Sequence, residues 1–464
     1  MNIGALITRG PQDWQIIQQV EGVADIKIQG TYETTEEIAY ARVFGRVVFE
    51  DSYESVIRWQ EAVHTKEKEW ELTFKDVPKG GLYRIETCLK TYEGQAVEWS
   101  SRGDMIHHIG VGDVYVIAGQ SNSAGYGKDA VLDSPELGIH LLKNSGKWDL
   151  ATHPFNESTH VKYTANREGG NPGHSPWLSF AKHLKKELGY PIGLVQAALG
   201  GSPLSAWNPE EDGYLYRNML EIIQNHTKGI SGVLWYQGCT DADQGQEEEA
   251  YLERFKVMVH TLRQDVGHPN LPIFTVQLNK VINYFTADQA QIERADAAWA
   301  GIREAQRKAA HQIEQVYIIP SIDLPLSDAI HNNSYGNLVI GERVARCALS
   351  HVYHRNRVCD APDIQEALRI DEQNVKLSFN HVYERLDVFD VSVDALGFTV
   401  TDELGQVEIV GYGIDQNSIF LKLGRNLQGV GKVSCRVGRS LKGYLPRDIE
   451  GQLPILVFHN IDIK

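Results

Sequence analysis

The sequence runs from the apolar stretch Val114 to Ala118 straight into Gly119-Gln120-Ser121-Asn122-Ser123-Ala124-Gly125. A serine just past a strand, flanked by small residues that let a ligand approach the backbone, is where an α/β enzyme holds a nucleophile. A plain Gly/Ser/Asn turn uses the same residues, so this segment alone leaves the two readings even. A serine hydroxyl needs a base. The segment Asp323 to Asn333 supplies Asp328 and His331, three residues apart, a spacing that on a turn or first helical turn brings carboxylate and imidazole side by side. Gly200-Gly201 in one segment and Gln237-Gly238 in another each follow an apolar run and offer donors for a developing oxyanion, as backbone N–H groups of the paired glycines and as side-chain amide at Gln237, each alone being readable as a glycine turn. Gln120 beside the serine is a candidate substrate contact, and Trp207 is a candidate aromatic platform for substrate, a buried core tryptophan being the equal alternative.

These groups need elements to position them. From about Asp13 to Ile106 the chain shows short alternating or β-branched runs such as Ala41-Arg-Val-Phe-Gly-Arg-Val-Val-Phe49 and Trp70-Glu-Leu-Thr-Phe74, broken at Lys79-Gly80-Gly81. That pattern predicts an all-β sandwich over residues 1–110, with the register around Gly81 to Lys90 left open. At Gly112 the texture changes to continuous apolar strands (Val114–Ala118, Ile192–Ala197, Gly232–Tyr236, Ile273–Leu278, Val316–Pro320) alternating with segments of helical period. Tyr251, Leu252, Phe255, Met258, Val259 and Leu262 form one such stripe, and the apolar positions of Trp177 to Leu188 another. The alternation predicts a doubly wound α/β domain over residues 111–354 with its reactive groups at the carboxyl ends of the strands. After Arg355 the β texture returns, in runs such as Val375 to Phe379 and Ser418 to Leu423, and predicts a second all-β domain over residues 355–464.

With 464 residues, 45 Lys+Arg against 61 Asp+Glu and a formal net charge of −16, the chain offers no basic surface for nucleic acid or anionic membrane. No run approaches the roughly 20 apolar residues of a membrane span. The N-terminus lacks the pattern of a secretory signal, and the five cysteines (Cys88, Cys239, Cys347, Cys359, Cys435) are scattered and free of C-x-x-C spacing. The expectation is a cytoplasmic protein with reduced thiols, no metal and no cofactor. Its oligomeric state is not legible.

The blocks Val114 to Gly125, Gly200 to Trp207, Trp235-Tyr236-Gln237-Gly238 and Asp328-Ala329-Ile330-His331 together resemble the successive signature blocks of the SGNH hydrolases, in wording closest to the sialate O-acetylesterase group and its acetylxylan esterase relatives. Segments from Pro176 and from Trp299 to Gln306 extend the likeness to about half the chain. The resemblance implies a flavodoxin-like three-layer domain with a parallel sheet, Ser121 as nucleophile, Asp328 and His331 as its acid–base partners, and Gly201, Gln237 and the Ser121 N–H as oxyanion donors. It implies a carboxylic ester hydrolase that removes O-acetyl groups from a mono- or oligosaccharide through an acyl-enzyme. Cys239 stands where that group carries a glutamate, and a small buried thiol is the simplest reading of it. The rival readings are an acetylxylan or other plant-oligosaccharide deacetylase, and a carbohydrate-binding protein with a degenerate esterase core.

Overall fold

The computed structural model describes residues 4–34, 40–170, 173–282, 288–389, 392–435, 438–439 and 443–464. The N-terminal strands are β1 (Gly4–Arg9), β2 (Ile16–Gln18), β3 (Val23–Glu33), β4 (Arg42–Phe49), β5 (Ser55–Glu61), β6 (Val63–Lys66), β7 (Glu69–Pro78) and β8 (Gly80–Lys90). One sheet runs β1-β3-β7-β6; in the other, β5, β4 and β8 pair antiparallel onto β9 (Ser101–Gly119). Period-two alternation turns Ile26, Ile28, Trp70, Leu72 and Phe74 of the first sheet toward Val43, Val47, Tyr83 and Ile85 of the second, in one shared core. The register left open in the sequence is set by β4, with Val47 opposite Ile85 and Phe49 opposite Tyr83.

Strand β9 is 19 residues long and passes through positions 110 and 111 without a break. Its first half pairs with β8 and its second half lies between two central strands, so the N-terminal sheet continues into the middle of the molecule. The central strands are β10 (Ile139–Leu142), β11 (Trp148–Leu150), β12 (Ile192–Gln196), β13 (Gly232–Tyr236), β14 (Ile273–Val276) and β15 (Val316–Ile319), in the order β11-β10-β12-β9-β13-β14-β15. All neighbours pair parallel except β11 with β10. Among the five strands expected from sequence the spatial order is second, first, third, fourth, fifth, the order of flavodoxin-like sheets. Chain connections leave β9 in opposite directions, and that reversal opens a crevice at the strands' carboxyl ends. The pair β10 and β11 was not expected; they extend the sheet beyond β12.

The helices are α1 (Ser121–Ala124), α2 (Trp177–Leu188), α3 (Tyr214–His226), α4 (Cys239–Asp243), α5 (Glu248–Asp265), α6 (Gln289–Gln312) and α7 (Ser334–His351). The six apolar positions read on α5 are its buried face, each worth roughly 1.5–3 kcal/mol on burial. Helix α2 has the predicted bounds and stops at Gly189, whose φ of 77° suits glycine. From Asp363 to Ile463 the chain returns to strands around a separate core that includes Val375, Leu377, Ile419, Leu421 and Val433, interrupted by a four-residue helix at Val393–Leu396. This part is tied to the centre by Gln277, whose amide bonds both the N–H and the C=O of Val457, and by the Arg307–Asp363 ion pair at 3.0 Å. No described helix is long and apolar enough to cross a membrane.

Candidate active site

Ser121 is the first residue of α1, immediately beyond the end of β9. The turn between them requires glycine: Gly119 has a φ of 113°, and a Cβ there would stand 2.4 Å from the Tyr236 carbonyl oxygen. The Gln120 N–H donates to that same carbonyl at 2.9 Å, locking the serine's backbone to the end of β13.

His331 and Asp328 lie in the loop between β15 and α7. Asp328 folds that loop through its own side chain, its Oδ1 accepting the N–H of Ile330 at 3.0 Å and of His331 at 2.9 Å, an Asx-type turn. Its Oδ2 meets His331 Nδ1 at 2.9 Å, and His331 Nε2 meets Ser121 Oγ at 2.9 Å. Carboxylate, imidazole and hydroxyl therefore form one line of hydrogen bonds. Partial burial works against the charge on Asp328, but His331, the two N–H groups and Lys128 Nζ at 3.0 Å hold its carboxyl well below the usual carboxylate range. The two loops are also joined behind the reacting atoms, where Asn332 donates its backbone N–H to Asn122 Oδ1 at 3.0 Å. Ser121 is 8% exposed and His331 half-buried, so the hydroxyl is reachable but not solvated on all sides.

The oxyanion candidates divide. Gly201 has a φ of 69°, a Cβ built on it would meet only open space, and its N–H, like that of Ser121, finds no acceptor among the described residues. Gln237 is different, and the expectation for its side chain is corrected here. It is wholly buried, its amide nitrogen donates to Ser202 O at 3.1 Å and to the Asp241 carboxylate, and its Oε1 accepts from Tyr251 at 3.0 Å. Both amide hydrogens are used inside the protein. Burial pushes the Asp241 carboxyl up, and Gln237 with the Leu204 N–H opposes that. Gln120 offers what Gln237 does not. Its Oε1 is fixed by the N–H of Gly238 at 3.0 Å and of Thr240 at 3.4 Å, which turns its amide nitrogen the other way, and that nitrogen donates to no acceptor among the described residues.

The platform reading of Trp207 is also corrected. The ring is 0% exposed, packs edge-on against Trp235 at 5.4 Å and donates through Nε1 to Ser202 Oγ at 2.9 Å, so it anchors the Gly200-Gly201-Ser202 turn from within the core. Cys239 is 3% exposed, and burial beside Asp243 raises its thiol far out of the nucleophilic range. Two residues passed over in the sequence complete the site. Tyr126 stacks on the His331 ring at 4.7 Å, and Glu168 accepts the Gly200 N–H at 2.9 Å while burial, with the Glu168 charge, pushes the nearby Tyr126 hydroxyl up, so one carboxylate lies between the histidine's neighbour and the Gly200-Gly201 turn. Glu168 lies outside the recognisable blocks, and no sequence signal marks it. The block from Trp299 to Gln306 acts from behind: Gln306 bonds the Gln237 carbonyl at 2.9 Å and the Leu278 N–H at 3.0 Å, and Trp299 donates to Asp243 at 2.9 Å.

Residues 111–350 match the model of a family described as carbohydrate esterase, sialic acid-specific acetylesterase. A probable carbohydrate esterase of Arabidopsis thaliana is 27% identical over 260 residues, covering 51% of this chain and 90% of that protein. The human sialate O-acetylesterase is 22% identical over 289 residues, and the match spans about half of each protein, 52% of this chain and 53% of the human one. Among solved structures, one described as a novel carbohydrate acetylesterase from Xanthomonas citri superposes with a TM-score of 0.66 over 97% of this chain and 98% of its own, at 20% identity.

Proposed function

This chain belongs to the sialic acid-specific acetylesterase family of carbohydrate esterases, and from that premise we propose that it removes O-acetyl groups from a sugar through an acyl-enzyme on Ser121. The observation that carries the reading is the unbroken series Asp328–His331–Ser121, each link 2.9 Å, at the carboxyl end of the strand where the sheet order reverses.

With Nδ1–H given to Asp328, His331 presents Nε2 as the base. It takes the Ser121 proton as Oγ attacks the acetyl carbonyl, and the oxyanion forms against the N–H groups of Ser121 and Gly201. The free amide nitrogen of Gln120 serves as the third donor in place of Gln237. Collapse returns the proton from His331 to the departing sugar hydroxyl, and water, activated by the same imidazole, releases acetate. Tyr126 and Glu168 keep the imidazole and the Gly201 turn in register. Residues 1–110, whose sheet runs on through β9 into the central one in place of a boundary at 110, and residues 355–464 are read as β parts that frame the catalytic one.

The test is acetate release from O-acetylated sialic acids, acetylated xylo-oligosaccharides and 4-nitrophenyl acetate, with Ser121→Ala alongside. Turnover lost in the variant supports the serine esterase and ranks the sugars; preference for the xylo-oligosaccharides replaces sialate with the plant-saccharide reading. A wild-type chain that binds these sugars without releasing acetate would return the site to the degenerate, binding-only reading.

A further inference from the structure

A second group of reactive side chains lies away from Ser121, at the end of α7. Cys347 and His351 are four residues apart and so share one face of that helix. The seven residues after His351 turn back and bring Cys359 and Asp360 against them. His351 Nε2 stands 2.8 Å from Asp360 Oδ1 and 3.5 Å from Cys359 Sγ. The ligand atoms of Cys347, His351 and Asp360 all lie within 4.8 Å of one another. Three donors thus converge on one small volume and Cys359 flanks it beside the histidine nitrogen, with Cys347 2% and Cys359 7% exposed.

We propose that Cys347, His351, Cys359 and Asp360 form a closed four-ligand site for a thiophilic divalent cation of the Zn²⁺ class. Bond lengths of about 2.3 Å to sulfur and about 2.0–2.1 Å to nitrogen, set tetrahedrally, require a sulfur–nitrogen edge of roughly 3.5 Å, and Cys359 and His351 have that separation. Two thiolates with an imidazole favour such a cation over Mg²⁺ or Ca²⁺, which take oxygen donors. Binding releases to solvent the Cys347 thiol proton and the proton that His351 Nε2 shares with Asp360 and Cys359, leaving two thiolates, the carboxylate and an imidazole protonated only at Nδ1. The ring is already oriented, since Tyr317 stacks on it at 4.5 Å. The return segment is fixed by Arg346, whose Nε donates to the Val358 carbonyl at 2.8 Å. With every position filled by protein the ion is structural: it fastens the last helix of the central part to the segment that enters the strand Asp363–Arg369. The other His/Asp group, Asp133 with His153 and His174, differs because Lys182 Nζ at 2.7 Å already balances its carboxylate. The spacing Cys-x3-His-x7-Cys-Asp matches no C-x-x-C pattern, and the fold alone brings the four together.

The experiment is elemental analysis of the full chain, purified without chelator or immobilised metal, followed by cobalt reconstitution of the stripped protein. The site predicts about one zinc per chain and, with Co²⁺, the thiolate charge-transfer and tetrahedral d–d bands. Both are lost in Cys347→Ser/Cys359→Ser and in Asp360→Asn and kept in Cys88→Ser. Chelation of the wild-type chain should lower its Tm and added Zn²⁺ restore it, a readout that needs no variant to fold. Absence of zinc together with no cobalt spectrum from the reduced chain would overturn the assignment, as would full zinc content in the double cysteine variant.

Discussion

Two aspartate–histidine pairs, Asp328–His331 beyond β15 and Asp360–His351 beyond α7, begin from the same contact, at 2.9 and 2.8 Å. They differ in how the ring is used. His331 meets its carboxylate through Nδ1 and Ser121 through Nε2, so Asp328 holds the ring while Nε2 is left to take the Ser121 proton. His351 presents a single nitrogen, Nε2, to both Asp360 and Cys359. Donors that converge on one point suit an ion, and donors strung through a ring suit acid–base chemistry. Residue type does not separate the two; the choice of ring nitrogen does.

The comparison can be broken most sharply at the bridged pair. Ser121→Ala should lower kcat by about 10⁴-fold or more with an unchanged Tm, read by acetate release and thermal melting. Asp328→Asn should follow at about 10³–10⁴-fold, because an amide donating to Nδ1 imposes the wrong tautomer. The matching change at the converging pair, Asp360→Asn, should leave kcat within a few-fold and act on Tm and metal content alone; a loss of kcat comparable to Asp328→Asn would erase the distinction.

The two glutamines sharpen it next. Gln120→Ala should cost about 10²-fold in kcat with Tm unmoved, as for an oxyanion donor. Gln237→Ala should instead cost about 1–3 kcal/mol of stability, since it strips a donor from the buried Asp241, while kcat of the folded fraction stays within a few-fold. The reverse outcome would hand the oxyanion role back to Gln237.

The smallest effect is expected at Lys128, an exposed residue whose contact with Asp328 is worth no more than about 1 kcal/mol, so Lys128→Met should change kcat/KM by less than about fivefold. Its pH signature has a definite sign. Asp328 titrates below its unfolded value, so its contribution to stability is present above about pH 4 and is lost as pH falls toward the folded pKa. Lys128→Met should raise that folded pKa and so shrink the contribution, measured by NMR titration of the Asp328 carboxyl.

Much of this was legible in the sequence because periodicity and block spacing report on element type. The stripe from Tyr251 to Leu262 and the strand before Ser121 needed no further information. Strand β10 was missed because its apolar run is broken by a polar residue, His140, which lies buried with Nδ1 against the Trp14 carbonyl at 2.6 Å. Gln237 lies at the expected strand end but its amide turns inward, since a sequence does not show that Asp241 and Ser202 satisfy it there; for Trp207 the core reading, left equal in the sequence, is the one its contacts with Ser202 and Trp235 support. Cys347 and Cys359 were read as isolated thiols because a helix end followed by a return loop leaves no short spacing to recognise.

The most direct test of the central claim is to mix the chain with 4-nitrophenyl acetate, quench in acid within one turnover and map the modified peptide by mass spectrometry. The account predicts the mass of one acetyl group on Ser121, formed by the wild type and absent from Ser121→Ala. Steady turnover with acetyl on another residue, or with Ser121 never modified, would contradict it.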